Sequence, residues 1–153
     1  MLAKLAGKTG FWYDKIGGDM KTLLVVAAAL VNSKNEVLLA QCPEDKRLAG
    51  KWEFPGGKLE EGESPEDALV RELNEELGIK VATADLEPFW FLSHPYPEYS
   101  FHLLMPVYLC RKWQGEPQAL EHAAIVWKSP ALMHQLPMIE ADAVLVERLK
   151  AIL

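Results

Sequence analysis

The chain has 153 residues, is half apolar and one quarter charged, and carries a formal net charge of −6. That balance suits one globular domain with a sizeable core, and it argues against sequence-independent nucleic-acid binding, which needs an excess of Lys and Arg. No apolar run approaches the roughly 18 to 20 residues that span a bilayer, so no membrane association is expected.

Residues 1–20 mix lysines with the run Phe11-Trp12-Tyr13 and lack the unbroken apolar stretch of a secretory signal. They read as an N-terminal extension of unknown role, and residues 21–153 as the domain. Residues 23–31 read as a buried strand, 32–35 as a turn and 36–41 as the return strand. Residues 43–51 form a loop carrying Lys46, Arg47 and Lys51. A short strand at 52–54 feeds Pro55 and a glycine loop at Gly56 and Gly57. Beyond the helix discussed below, residues 84–93 read as a strand in which Pro88 marks an edge or a bulge. Residues 94–99 read as a rigid aromatic loop. Residues 101–112 read as a strand interrupted at Pro106, and 114–124 as a loop. Residues 125–128 form a last strand, a short helix starts at Ser129-Pro130, and 140–153 form the final helix. Cys42 and Cys110 show no metal-ligand spacing and read as reduced core thiols of a cytoplasmic protein, with a disulfide left open. Strands in this order with two substantial helices fit an α+β fold, a mixed sheet between helices.

The chain is organised around residues 56–79. Gly56, Gly57 and Gly62 allow backbone conformations that other residues resist. Ser64 is a good N-cap, Pro65 a good first helical residue and Gly78 a C-terminal stop, so a helix is predicted over 65–77. Leu69, Leu73 and Leu77 form its apolar stripe. With Leu69 at 0°, the step of about 100° per residue puts Glu76 near −20°, Glu72 near −60° and Glu75 near −120°. Two glutamates therefore border the face that must be buried, where an uncompensated carboxylate is costly. Arg71 is read as lying elsewhere on the helix, and one cation cannot neutralise three acids. A divalent cation can, and an all-oxygen site suits Mg²⁺ or Mn²⁺.

Gly57, five residues, Glu63, seven residues, and then the run from Arg71 to Ile79, RELNEELGI, resemble the complete Nudix box, G-x5-E-x7-R-E-U-x-E-E-x-G-U. The resemblance extends over residues 21–153 toward the MutT subgroup, through the run WEFPGGK at 52–58 and the segment at 113–121. It implies an α/β/α sandwich and Mg²⁺-dependent attack of water on the β-phosphorus of a nucleoside triphosphate, giving the monophosphate and pyrophosphate. The subgroup's preferred substrate, 8-oxo-dGTP, implies nucleotide-pool sanitation. By the same resemblance, Gly57 (through its carbonyl), Glu72, Glu75, Glu76 and Glu121 ligate metal. Glu75 and Glu121 carry the catalysis, and Glu63 and Arg71 hold the loop onto the helix. Phe54 and Asp142 contact the base, while Lys58 and Arg47 are the cations assigned to the substrate.

The chain departs from the subgroup at Cys42 and Phe101, where arginines are usual, and at Ala123, where glutamine is common. Neither Cys nor Phe can make a charge-assisted bond to phosphate. These departures keep two alternatives in view: another nucleotide, such as a pyrimidine triphosphate or a nucleoside diphosphate derivative, and a nucleotide-binding Nudix domain without turnover. The sequence is silent on oligomeric state and on the number of metals.

Overall fold

The computed structural model describes residues 21–46 and 48–153. The N-terminal extension and Arg47 lie outside the described residues. Seven strands are present among them: β1 (Lys21–Leu30), β2 (Val37–Gln41), β3 (Trp52–Glu53), β4 (Gly56–Lys58), β5 (Leu86–Tyr96), β6 (Phe101–Cys110) and β7 (Ala124–Lys128). Two α-helices accompany them, α1 (Pro65–Leu77) and α2 (Ala143–Lys150). The strands form a four-stranded sheet ordered β4-β1-β6-β5 and a three-stranded sheet ordered β3-β2-β7. The larger sheet is mixed, because β1 runs parallel to β6 and antiparallel to β4.

β1 is the axis of the molecule. Successive side chains of a strand point to opposite faces, and both faces of β1 are buried. Val25, Ala27 and Ala29 join one core with Phe54, Met105 and the α2 residues Leu145 and Leu149. Val26, Ala28 and Leu30 join the other with Leu69, Leu73 and Leu77 of α1. The helices thus cover opposite faces, and the α/β/α layering expected from the sequence is present. Among the described residues, no helix is long and apolar enough to cross a membrane.

Helix α1 has the expected bounds. Its N-cap Ser64 accepts from the Asp67 N–H, and Gly78 closes it in the left-handed conformation with its N–H on the Asn74 carbonyl. Several other expectations need correction. Residues 36–41 do not return along β1. The two strands meet only at the Val31–Val37 bridge, and β2 then enters the second sheet. The glycine loop at 56–57 is a strand, pairing Gly57 with Val26 and Gly56 with Ala27. Strand β6 runs through Pro106, which pairs with Phe91; only the ladder to β1 lapses there, where proline offers no N–H. Residues 94–96 continue β5, leaving a single 3-10 turn at Pro97–Tyr99. The final helix opens with a 3-10 turn at Glu140–Asp142 before α2 begins. Pro88 meets its expectation: β5 is an edge strand, and its register shifts between Pro88 and Trp90. Cys42 and Cys110 are free, buried in different cores.

Candidate active site

The site forms where β4 is pressed between β1 and α1. A Cβ on Gly56 would lie 2.0 Å from the Val26 carbonyl oxygen, so only glycine lets β4 approach β1 this closely. A Cβ on Gly57 would lie 2.1 Å from Cδ of Glu72, so the Gly57 backbone sits directly against that carboxylate. The Gly56 N–H donates to Oε2 of Glu76 at 3.1 Å, and the Ala28 N–H to the Pro55 carbonyl at 2.9 Å. Glu72 and Glu76 are both buried, and Glu75 is exposed.

Arg71 organises the outer side. Its Nε donates to Oε1 of Glu63 at 2.7 Å and its Nη2 to Oε2 at 2.9 Å, a two-pronged pair. Nη2 also reaches the Lys58 carbonyl at 3.1 Å, tying β4 to the helix. These bonds hold the Glu63 carboxyl down at about 2, first through the Arg71 hydrogen bond and then through the Glu60 N–H. Arg71 is not set apart from the other acids, as its helical angle suggested. Its Nη1 lies 2.9 Å from Oε1 of Glu72 and 3.5 Å from Oε2 of Glu75. A long side chain covers neighbouring positions that a helical wheel separates. One guanidinium still faces three carboxylates.

The side that the resemblance assigns to the base is built by β3. The Trp52 N–H donates to the Pro137 carbonyl at 2.9 Å and the Ile139 N–H to the Trp52 carbonyl at 3.0 Å. This pins the segment before α2 to β3 and sets Asp142 over Phe54. Asp142 is buried and does not cap α2. Its Oδ2 accepts from the Phe54 N–H at 3.4 Å, and its Oδ1 has no hydrogen-bond partner. Burial, and next the nearby Glu53, push its carboxyl up to about 7. Phe54 is fully buried. Cys42 is buried too, and burial followed by Glu53 raises its thiol to about 12. The buried Tyr96 hydroxyl has no hydrogen-bond partner; burial and then Asp142 raise its pKa. Its ring stacks on Tyr99 and lies tilted against Phe101.

The loop before β7 closes the third side. The Gln118 N–H donates to the Leu77 carbonyl and the Leu120 N–H to the Glu76 carbonyl, both at 3.0 Å. These bonds fasten the loop to the last turn of α1 and set exposed Glu121 beside it. The His122 side chain is buried, with Nε2 3.5 Å from Oε1 of Glu53 and 3.9 Å from Oε1 of Glu76. Reading the sequence missed Glu53 and left His122 without a role. A lone acid in a two-residue strand carries no periodic signal. Trp90 lies under Arg148 at 4.1 Å, Trp127 stacks on Trp113, and His102 meets Ser93 at 2.7 Å.

In kind, the donors suit a hard divalent cation: carboxylates at Glu72, Glu75 and Glu76, with the Gly57 backbone brought under Glu72 by the missing Cβ. Among the described residues, no three His, Cys, Asp or Glu side chains already converge as a metal cage. Glu72 is engaged by Arg71 and Glu76 by the Gly56 N–H.

A model of the NUDIX domain family matches residues 21–149. The CTP pyrophosphohydrolase of Escherichia coli (strain K12) is 38% identical over 130 residues, covering 85% of this chain and 93% of that protein. The 8-oxo-dGTP diphosphatase of the same strain is 38% identical over 110 residues, covering 72% of this chain and 82% of that protein. Among solved structures, the solution structure of the E. coli ORF135 protein superposes with a TM-score of 0.74 at 38% identity, covering 90% of this chain and 94% of that one.

Proposed function

The chain belongs to the Nudix family of hydrolases, and from that premise we propose that it hydrolyses nucleoside triphosphates to the monophosphate and pyrophosphate with Mg²⁺. On this reading it acts in the cytoplasm on free, oxidised purine nucleotides such as 8-oxo-dGTP, not on nucleic acid. One observation carries the reading: the box acids Glu72 and Glu76 are buried against the Gly56–Gly57 backbone, with Glu75 exposed beside them.

A divalent cation bound there supplies charge neutralisation for the phosphates. Glu72, Glu75 and Glu76, the Gly57 carbonyl and Glu121 would hold it. Arg71 and Glu63 keep β4 on the helix, which holds the Gly57 backbone against Glu72. Glu75 and Glu121, both exposed, are the acids to which this reading assigns the proton of the attacking water. Lys58 and Arg47 are assigned to the phosphates. Asp142 reads the base edge, where an ionised carboxylate accepts from the N1–H and exocyclic amine of a guanine. Phe54 is assigned to the base as well, and its N–H donates to Oδ2 of Asp142 at 3.4 Å.

A second reading, a pyrimidine triphosphate, is favoured by the relative named CTP pyrophosphohydrolase, which aligns over 85% of this chain. Incubation with Mg²⁺ and a panel of normal and oxidised nucleotides decides between them. Turnover of 8-oxo-dGTP well above dGTP supports the first reading. Preference for CTP or dCTP supports the second. Saturable binding with no product from any nucleotide would sink both.

A further inference from the structure

The acids of the two half-sites meet one shared side chain. Glu76 belongs to the box helix and engages β4 through the Gly56 N–H. Glu53 belongs to β3, one residue before Phe54, whose N–H holds Asp142. Glu53 and Glu76 are both fully buried, and the His122 side chain is almost as deep, with 3% exposure. Its Nε2 stands 3.5 Å from Oε1 of Glu53 and 3.9 Å from Oε1 of Glu76, while its Nδ1 is buried without a hydrogen-bond partner. With its proton on Nε2 the ring can donate toward both carboxylates, which a lone pair at that nitrogen would repel. The imidazole is held in place by its chain neighbours: the Leu120 N–H on the Glu76 carbonyl and the Ala123 N–H on the Gln41 carbonyl, each at 3.0 Å.

We propose that His122 is a positioning residue which links the box glutamate Glu76 to the base-side acid Glu53, so that the phosphate half and the base half of the site are set by one imidazole. The proposal rests on the reading that one nucleotide spans both halves. His122 touches neither the substrate nor the metal in this account. It orients a carboxylate that does, as outer partners of metal ligands commonly do. The residue is therefore not a spare histidine of the loop. It explains how β3, α1 and the loop before β7 keep a common geometry without a covalent link.

The test uses the full chain with two substitutions that keep a polar side chain and vary its reach. His122→Gln can place an amide N–H where Nε2 stands, and His122→Asn is too short. Two quantities are read: hydrogen exchange of the Gly56 amide in metal-free protein, and the half-saturating Mg²⁺ concentration with kcat and KM measured separately. His122→Asn should speed Gly56 exchange and raise the half-saturating metal and KM by roughly 10- to 100-fold, with kcat at saturation changed far less. His122→Gln should return all of these to near the wild-type values. Wild-type exchange and metal dependence in His122→Asn would overturn the proposal, as would a His122→Gln variant as impaired as His122→Asn. Should His122→Asn fail to fold, the wild-type protein itself decides. A slowly exchanging imidazole Nε2–H is expected, and a ring protonated on Nδ1 alone would overturn the link. If no nucleotide is turned over, the hydrolase reading fails, while the Gly56 exchange still judges this proposal.

Discussion

The phosphate half and the base half of the site handle buried acids in opposite ways. Around the box, charge is met with charge: Arg71 grips Glu63 with two hydrogen bonds and touches Glu72 and Glu75, and it keeps one edge toward solvent. Around the base, Asp142 is wholly buried with a single backbone donor and an unmatched Oδ1. The first arrangement holds the Glu63 carboxyl down at about 2, beside the glutamates that the proposed reading gives to a cation. The second holds a carboxyl near the midpoint of its titration at neutral pH, able to accept or to donate. On the proposed reading, binding metal and reading a base call for these two different preparations.

The comparison breaks most severely at Glu75. Because this side chain is exposed and meets Arg71 at 3.5 Å in a surface ion pair, Glu75→Gln should change the melting temperature little yet lower kcat on the order of 10³-fold. Steady-state kinetics beside a thermal melt checks both halves; full activity would remove Glu75 from the catalytic set. An intermediate effect is expected at Gly57. Gly57→Ala puts a Cβ 2.1 Å from Cδ of Glu72, which should cost about 1–3 kcal/mol of stability and displace the carboxylate. Denaturant unfolding and a metal titration should both report the change.

The last effect is a slope with pH at Asp142. Unfolded, this carboxyl ionises near its ordinary 3.8, and in the fold burial holds its proton to about 7. Between those pH values the folded chain binds more protons than the unfolded chain, so this group's contribution falls as pH rises, and it is flat above about 7. Asp142→Asn removes the titration. Relative to wild type, the variant should gain about 2–4 kcal/mol between pH 4 and 7, and no more beyond it. Parallel stability curves for the two proteins would contradict the raised carboxyl.

Much of the phosphate half was legible in the sequence because it is local. The N-cap, the Leu69-Leu73-Leu77 stripe and the glycine stop lie within one helix and follow from short-range rules. The glutamates' angles on that helix were legible for the same reason. Arg71's reach across three acids was not, since it depends on side-chain length and on the fold bringing Glu63 back. The base half comes from distant segments: β3, the turn before α2 and the loop before β7. Nothing in a two-residue strand announces that Glu53 is buried or that His122 will meet it. The passage of β2 into a second sheet was equally hidden, because a turn signal at 32–35 says where the chain reverses, not which strand it next joins.

The most direct test of the account is the product of nucleoside triphosphate hydrolysis in ¹⁸O-water with Mg²⁺. Attack at the β-phosphorus predicts nucleoside monophosphate and pyrophosphate, with the label in the pyrophosphate. Nucleoside diphosphate with orthophosphate, label in the monophosphate, or bound nucleotide with no product would contradict it.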